Sequence, residues 1–205
     1  MKIIIIGATG TIGKAVAQVL SERHQIVRVA HSSGEHRVEL ASKESIRRLF
    51  ETAAPFNAVV CAAGQTRFAP LATLTDEDFQ FSLSNKLMGQ VNLVRAGEPY
   101  LSDNGSFTLT SGVLAREPMT GGAAISLVNA GLEGFVLAAA LEMPRGIRVN
   151  AVSPPWVSET LKAMGRDPSA GMPAAKVAAA YVESVESKRT GEVIDARAFS
   201  VDQGV

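Results

Sequence analysis

At 205 residues, with 46% apolar and 20% charged side chains, the chain fits one soluble globular domain, residues 1–205, able to bury roughly 70% of the surface exposed when unfolded. Its 20 Lys and Arg balance 20 Asp and Glu, so formal net charge is zero and nothing electrostatic argues for a nucleic-acid or membrane-surface partner. A single cysteine, Cys61, leaves no intrachain disulfide and fits a reducing cytoplasm, the expected location.

Strand and helix signals alternate along the chain, predicting an α/β fold: a doubly wound parallel sheet with helices on both faces. Lys2 to Ile6 reads as a central strand buried on both sides, too short for a signal-peptide core or a membrane span. A helix is expected from about Thr11 to Arg23, with Ile12, Ala15, Val16, Val19 and Leu20 on one face. Gln25 to Ala30 is the second strand. Only about ten residues, His31 to Ala41, separate it from a helix over Ser42 to Ala53 with Ser42 as N-cap. A right-handed crossover needs ~10–12 residues, so any third strand at Arg37 to Leu40 must be rudimentary. Strands follow at Ala58–Cys61, Ser106–Leu109, Ile147–Val152 and Glu192–Ala196. Helices are expected at Thr75–Ala96, with a break near its start, at Gly122–Met143, and after Pro173. Leu132 to Leu141, interrupted by Glu133 and followed by Glu142, reads as buried helix rather than a membrane span. Pro154 to Met172 is the one long irregular connection, and such loops often act as lids.

The segment Gly7-Ala8-Thr9-Gly10-Thr11-Ile12-Gly13 lies between the first strand and its helix. There one glycine permits a tight turn, one lets backbone approach phosphate, and one lets the helix pack close to the sheet. Free amides and the helix dipole favour an anion at that point, predicting a Rossmann-type nicotinamide dinucleotide site. The alternative is a ligand-free glycine turn. At the tip of the second strand an acid would bond the NAD ribose. Here His31, Ser32 and Ser33 stand instead, polar donors that suit the 2′-phosphate of NADP. A plain polar turn is the other reading.

Read together, these segments resemble the short-chain dehydrogenase/reductase family over nearly the whole chain. Cys61-Ala62-Ala63-Gly64 is similar to the family's Asn-Asn-Ala-Gly segment, Leu109-Thr110-Ser111-Gly112 to its serine-bearing strand end, and Asn129 to Gly134 to the helix after its lysine. Gly146 to Pro154 is the most specific match. The resemblance implies cofactor contacts from Ala62, Ala63 and Gly64, places Glu39 and Leu40 at the adenine, and sets Pro154 and Val157 beside the nicotinamide. It implies pairing into a homodimer or homotetramer through the helices at Thr75–Ala96 and Gly122–Met143, where Ala130, Gly131, Gly134, Ala138 and Ala139 would permit close approach.

The family's catalytic tyrosine falls on Ile125 and its lysine on Asn129, neither of which can move a proton. Its helix asparagine falls on Lys86. The catalytic serine matches Ser111 only with one residue of slack, since strict spacing lands on Gly112. Lys86 and Ser111 are therefore the candidate catalytic pair, as cation or acid and as hydrogen-bond donor to a carbonyl. The expected activity is NADP(H)-dependent reduction of a small ketone or aldehyde. A non-catalytic dinucleotide-binding sensor or silent partner subunit is the alternative. His24, His31 and His36 lack ligand spacing, and no metal site is expected. Tyr100 and Tyr181 are expected to pack as amphipathic aromatics, and Trp156 either to wall a pocket or to cover the core.

Overall fold

Four consecutive isoleucines, Ile3 to Ile6, form a strand whose side chains alternate between two faces, and both faces are covered. In the computed structural model, which describes residues 1–32 and 36–199, Ile4 and Ile6 belong to one apolar cluster. Ile3 and Ile5 belong to another on the opposite side. The strands are β1 (Lys2–Ile6), β2 (Gln25–Ala30), β3 (His36–Arg37), β4 (Phe56–Cys61), β5 (Leu101–Thr110), β6 (Arg148–Ser153) and β7 (Val193–Asp195). They form one sheet in the order β3-β2-β1-β4-β5-β6-β7, parallel at every pairing. This is the expected doubly wound Rossmann-type α/β fold.

The helices are α1 (Thr11–Leu20), α2 (Lys43–Ala53), α3 (Asp76–Ser82), α4 (Met88–Gly97), α5 (Ala123–Glu142), α6 (Ser158–Ala163) and α7 (Ala174–Glu186). Side chains of α1 and α7 cover one face of the sheet, and those of α2, α4 and α5 cover the other. The third strand is two residues long and pairs only with the tip of β2, Val29 with His36 and Ala30 with Arg37. The short connection before α2 leaves room for no more. Ser42 caps α2 as expected, its hydroxyl accepting from Ser45 N–H.

Three local expectations change. The break in the Thr75–Ala96 helix is not at its start, where Thr75 and Asp78 form a reciprocal capping box. It is a wide π turn over Leu83–Leu87, in which Met88 N–H donates to Leu83 O five residues back. The Pro154–Met172 loop holds a short helix, α6, and closes on itself through a parallel bridge between Val157 and Met172. β5 begins five residues before the expected strand because Leu101 pairs with Phe56 across a register shift. α5 is long and apolar enough to cross a membrane. It is a core helix here, burying Ala124, Val128, Leu132, Val136 and Ala139 beneath it.

Candidate functional site

Strand order reverses between β1 and β4, and a doubly wound sheet has its crevice at the carboxyl ends of two such strands. Ile6 pairs with Cys61, and Ala62 N–H donates to Ile6 O at 2.9 Å, so the Gly7 turn and the Ala62-Ala63-Gly64 segment leave the sheet side by side. Gly7 has φ +83°, and a Cβ there would meet Ala62 O at 2.6 Å. A Cβ on Gly13 would meet Gly7 O at 2.0 Å, so only glycine lets α1 seat against the turn. Gly10 is less crowded: a Cβ there would meet only Gly7 O, a tight contact at 3.3 Å, so glycine keeps the helix start free of a side chain. No side chain caps α1, and its first turn carries no acid.

Two cavities meet at this crevice. The first, about 370 Å³, is lined by Gly7, Thr9, Gly10, His31, Glu39 and Leu40 among others. Gln65 and Asn85 also line it, and nothing in the sequence pattern singled them out. His31 Nε2 lies 2.9 Å from Glu39 Oε2 across its rim. Ser32 is exposed and outside the lining, Thr11 opens α1 but lines neither cavity, and Ser33 lies outside the described residues. Ala62, Ala63 and Gly64 line both cavities and join them.

The second cavity, about 300 Å³, is lined by Ile12, Lys86, Ser111, Gly112, Ile125, Asn129, Pro154, Trp156 and Val157 among others. Trp156 thus walls a pocket. Lys86 comes from the π turn, and π turns recur where a helix must re-aim a side chain. A Cβ on Gly64 (φ +135°) would strike Lys86 Cγ at 2.8 Å, so glycine at 64 makes room for the lysine stem. Lys86 is only 8% exposed. Its Nζ donates to Asn129 Oδ1 at 2.7 Å and to Ser111 O at 3.1 Å. Burial pulls its pKa down to about 8.

Ser111 lines the cavity, but its hydroxyl is committed elsewhere. It lies 3.0 Å from Glu133 Oε1 and 3.3 Å from Asn129 O, and Glu133 Oε2 in turn accepts from Arg116 Nε at 2.9 Å. One hydroxyl proton cannot serve these acceptors and a substrate together. The strict-spacing position, Gly112, has φ +155° and no side chain to offer. Tyr181 is wholly buried, as expected of a packing aromatic, its hydroxyl 2.7 Å from Thr110 Oγ1. Thr110 Oγ1 donates to Cys61 O at 2.5 Å, and the buried Gln90 amide bonds Thr110 N–H and O. These bonds pin the end of β5 where Ser111 and Gly112 leave the sheet. No cluster able to hold a metal ion occurs among the described residues.

Residues 14–199 match the family described as enoyl-(acyl carrier protein) reductase. Among solved structures, the protein lin1944 from Listeria innocua is 39% identical, with a TM-score of 0.92 over 95% of this chain and 98% of that one. The chain belongs to the short-chain dehydrogenase/reductase family. Two further members are small-chain dehydrogenases. One, 27% identical, has a TM-score of 0.82 over 95% of both chains. The other, in complex with NADPH, is 26% identical with a TM-score of 0.84 over 97% of this chain and 98% of that one. Comparison with curated sequences gives no match. Within the family framework, Ile125 and Asn129 stand on α5 where the resemblance expects tyrosine and lysine, and both line the cavity.

Proposed function

We propose that the protein is an NADP(H)-dependent oxidoreductase that reduces a small ketone or aldehyde, with Lys86 in place of the usual tyrosine. The observation that carries this reading is a buried ammonium in the wall of an otherwise uncharged cavity adjoining a glycine-turn crevice.

The residues present fit a dinucleotide. The uncapped α1 start and the side-chain-free backbone at Gly10 suit a pyrophosphate. His31 and Ser32 suit a 2′-phosphate, Leu40 and Glu39 the adenine end, and Ile12, Pro154 and Val157 the nicotinamide end. The nicotinamide supplies or accepts the hydride when bound. The chain's own part is to hold the carbonyl oxygen near Lys86. Ser111 O and Asn129 Oδ1 fix two of the three ammonium protons and leave the third for that oxygen. With a pKa of about 8, Lys86 is charged at neutral pH yet able to give up its proton. It offers charge stabilisation or general acid catalysis at one atom. The apolar walls around Ile125 and Trp156 keep water from competing.

The second reading, a dinucleotide-binding protein without catalysis, is favoured by the bare positions Ile125 and Gly112. NADPH oxidation measured against a broad carbonyl panel, with protein sufficient to detect slow turnover, decides between them. Turnover of any carbonyl supports the reductase. Tight NADPH binding with no reduction of any carbonyl supports the sensor.

A further inference from the structure

Among the described residues, Lys86 is the only charged side chain lining the 300 Å³ cavity. Both partners of its ammonium, Ser111 O and Asn129 Oδ1, are neutral. Among the described residues, no carboxylate is bonded to the ammonium. Glu133, the nearest acid in the hydrogen-bond network, lies behind Ser111 and is occupied by Ser111 Oγ and Arg116 Nε. A buried charge is ordinarily paired, because taking it out of water costs several kcal/mol. Here one N–H has no partner among the described residues, and Lys86 lines a cavity whose other walls include Val113, Leu114, Ile125 and Trp156.

We propose that this cavity is a receptor for small monocarboxylates: the carboxylate accepts the open N–H of Lys86, and a short apolar body lies against Ile125, Leu114 and Trp156. A single charged donor suits one carboxylate. A dianionic tetrahedral group would need several donors, and among the described residues no arginine lines the cavity. The site is the one proposed above for a carbonyl oxygen, so a carboxylate competes with that substrate, but its binding requires no turnover.

Binding of the anion favours protonated Lys86 and weakens as pH rises through about 8, where the free ammonium titrates. The Cys61 thiol and the Tyr181 phenol add no second titration in that range. The Cys61 thiol on β4 is pushed up to about 12 by burial. Tyr181, reached through Thr110, has its phenol pushed up for the same reason. Gln90 on α4 is neutral and bonded to Thr110. Glu133 on α5 is paired with Arg116.

The test titrates isobutyrate and its neutral analogue isobutyramide into the full-length protein by calorimetry, with NADPH affinity and Tm measured alongside. Isobutyrate is expected to bind at least ~10-fold tighter than the amide at pH 7, and to lose at least ~10-fold in affinity by pH 10. Lys86→Met and Lys86→Gln should both abolish the preference while leaving NADPH affinity unchanged, the second retaining an N–H donor without charge. Equal binding of acid and amide, a preference that survives in either variant, or no isobutyrate binding at millimolar concentration overturns the proposal. Carbonyl reduction without a carboxylate preference overturns this inference alone. A carboxylate preference without reduction of any carbonyl overturns the reductase reading alone.

Discussion

Lys86 Nζ donates to Asn129 Oδ1 at 2.7 Å, and each of the two stands where the family resemblance expects the other. Lysine has moved from α5 to the π turn, and asparagine from the turn to α5. The pair keeps a cation and an amide together in one cavity wall, but the cation now approaches from the opposite helix. No tyrosine lines the cavity among the described residues, so in the proposed reaction the ammonium is the group assigned to the carbonyl oxygen.

Removing the ammonium separates catalysis from stability. In Lys86→Met, turnover of any carbonyl substrate should fall at least ~10²-fold with NADPH affinity nearly unchanged. Stability should move the other way. The folded pKa, about 8, lies below the ordinary 10.5, so the unfolded chain binds more protons between those values and stability rises with pH there. Below pH 8 the buried charge exerts its full penalty, up to about 3 kcal/mol. Lys86→Met should therefore raise Tm at pH 7, by an amount that shrinks as pH climbs from 8 to 10.5. Parent reduction rates should decline as pH rises through 8, because the protonated form is the donor. Denaturation at pH 7 and 10 checks the first claim, and a pH–rate profile the second. A rate independent of Lys86 would reduce it to a packing residue.

Ser111 should matter less to chemistry than Lys86 does. Ser111→Ala leaves the Lys86 bond to the residue 111 carbonyl in place but removes the donor to Glu133 Oε1. Loss of one such bond costs about 1–3 kcal/mol when the acceptor stays buried. The expected result is a lower Tm with a turnover loss smaller than that of Lys86→Met. A loss equal to that of Lys86→Met would mean the hydroxyl leaves Glu133 to serve the substrate.

Much of this architecture was legible in the sequence, and the reasons are specific. The isoleucine run of β1, the glycine spacing and the ten-residue gap before α2 each constrain the backbone by sterics or length, so the doubly wound parallel sheet and the stunted β3 followed. The π turn was not legible, because a helix of 3.6-residue period and one carrying an inserted residue differ little in pattern over so few positions. The orientation of Ser111 was equally hidden. Whether its hydroxyl meets a substrate or Glu133, 22 residues later, depends on how α5 packs on β5. Gln65 and Asn85 carry no local signature and join the first cavity only through the fold.

Cofactor choice is testable at the tip of β2. NADP(H) should bind more tightly than NAD(H), because no acid follows Ala30 and His31 stands there at the rim of the first cavity. His31→Asp should shift preference towards NAD by setting a carboxylate against the 2′-phosphate, beside Glu39, which already lies 2.9 Å from the His31 ring. Titration of both dinucleotides into parent and variant checks this. Equal affinities in the parent would refute it.

We propose assembly as a homodimer or homotetramer through the outer face of α5. The small residues of that helix divide between its two sides. Gly131 faces Leu87, and Ala139 is buried against the chain's own core. Ala130, Gly134 and Ala138 are exposed, and a Cβ on Gly134 would touch nothing. With Leu127, Leu137 and Leu141, the last 89% exposed, they form an apolar stripe at helical spacing. Leu137→Glu should convert the assembly to monomer in sedimentation at micromolar concentration. A monomeric parent would count against the proposal.

Reversing the exchange tests the catalytic assignment as a whole. In Lys86→Asn/Asn129→Lys, amide and ammonium trade places across the 2.7 Å bond, so the fold should survive. Turnover should fall, because the charge now enters from α5 and no acid stands at 125. Adding Ile125→Tyr places a phenol four residues before the new lysine, on the same face of α5 one turn away. An ammonium at that distance lowers a phenol's pKa and suits it to donate a proton. Ile125 already lines the cavity, so a phenol there reaches the space a carbonyl would occupy. The triple variant should recover at least ~10-fold of the turnover lost in the double, and its pH–rate profile should no longer follow a group titrating at about 8. If the triple variant is no faster than the double, residue 125 is not aimed at the reacting oxygen, and the exchange between positions 86 and 129 is a packing arrangement without catalytic meaning.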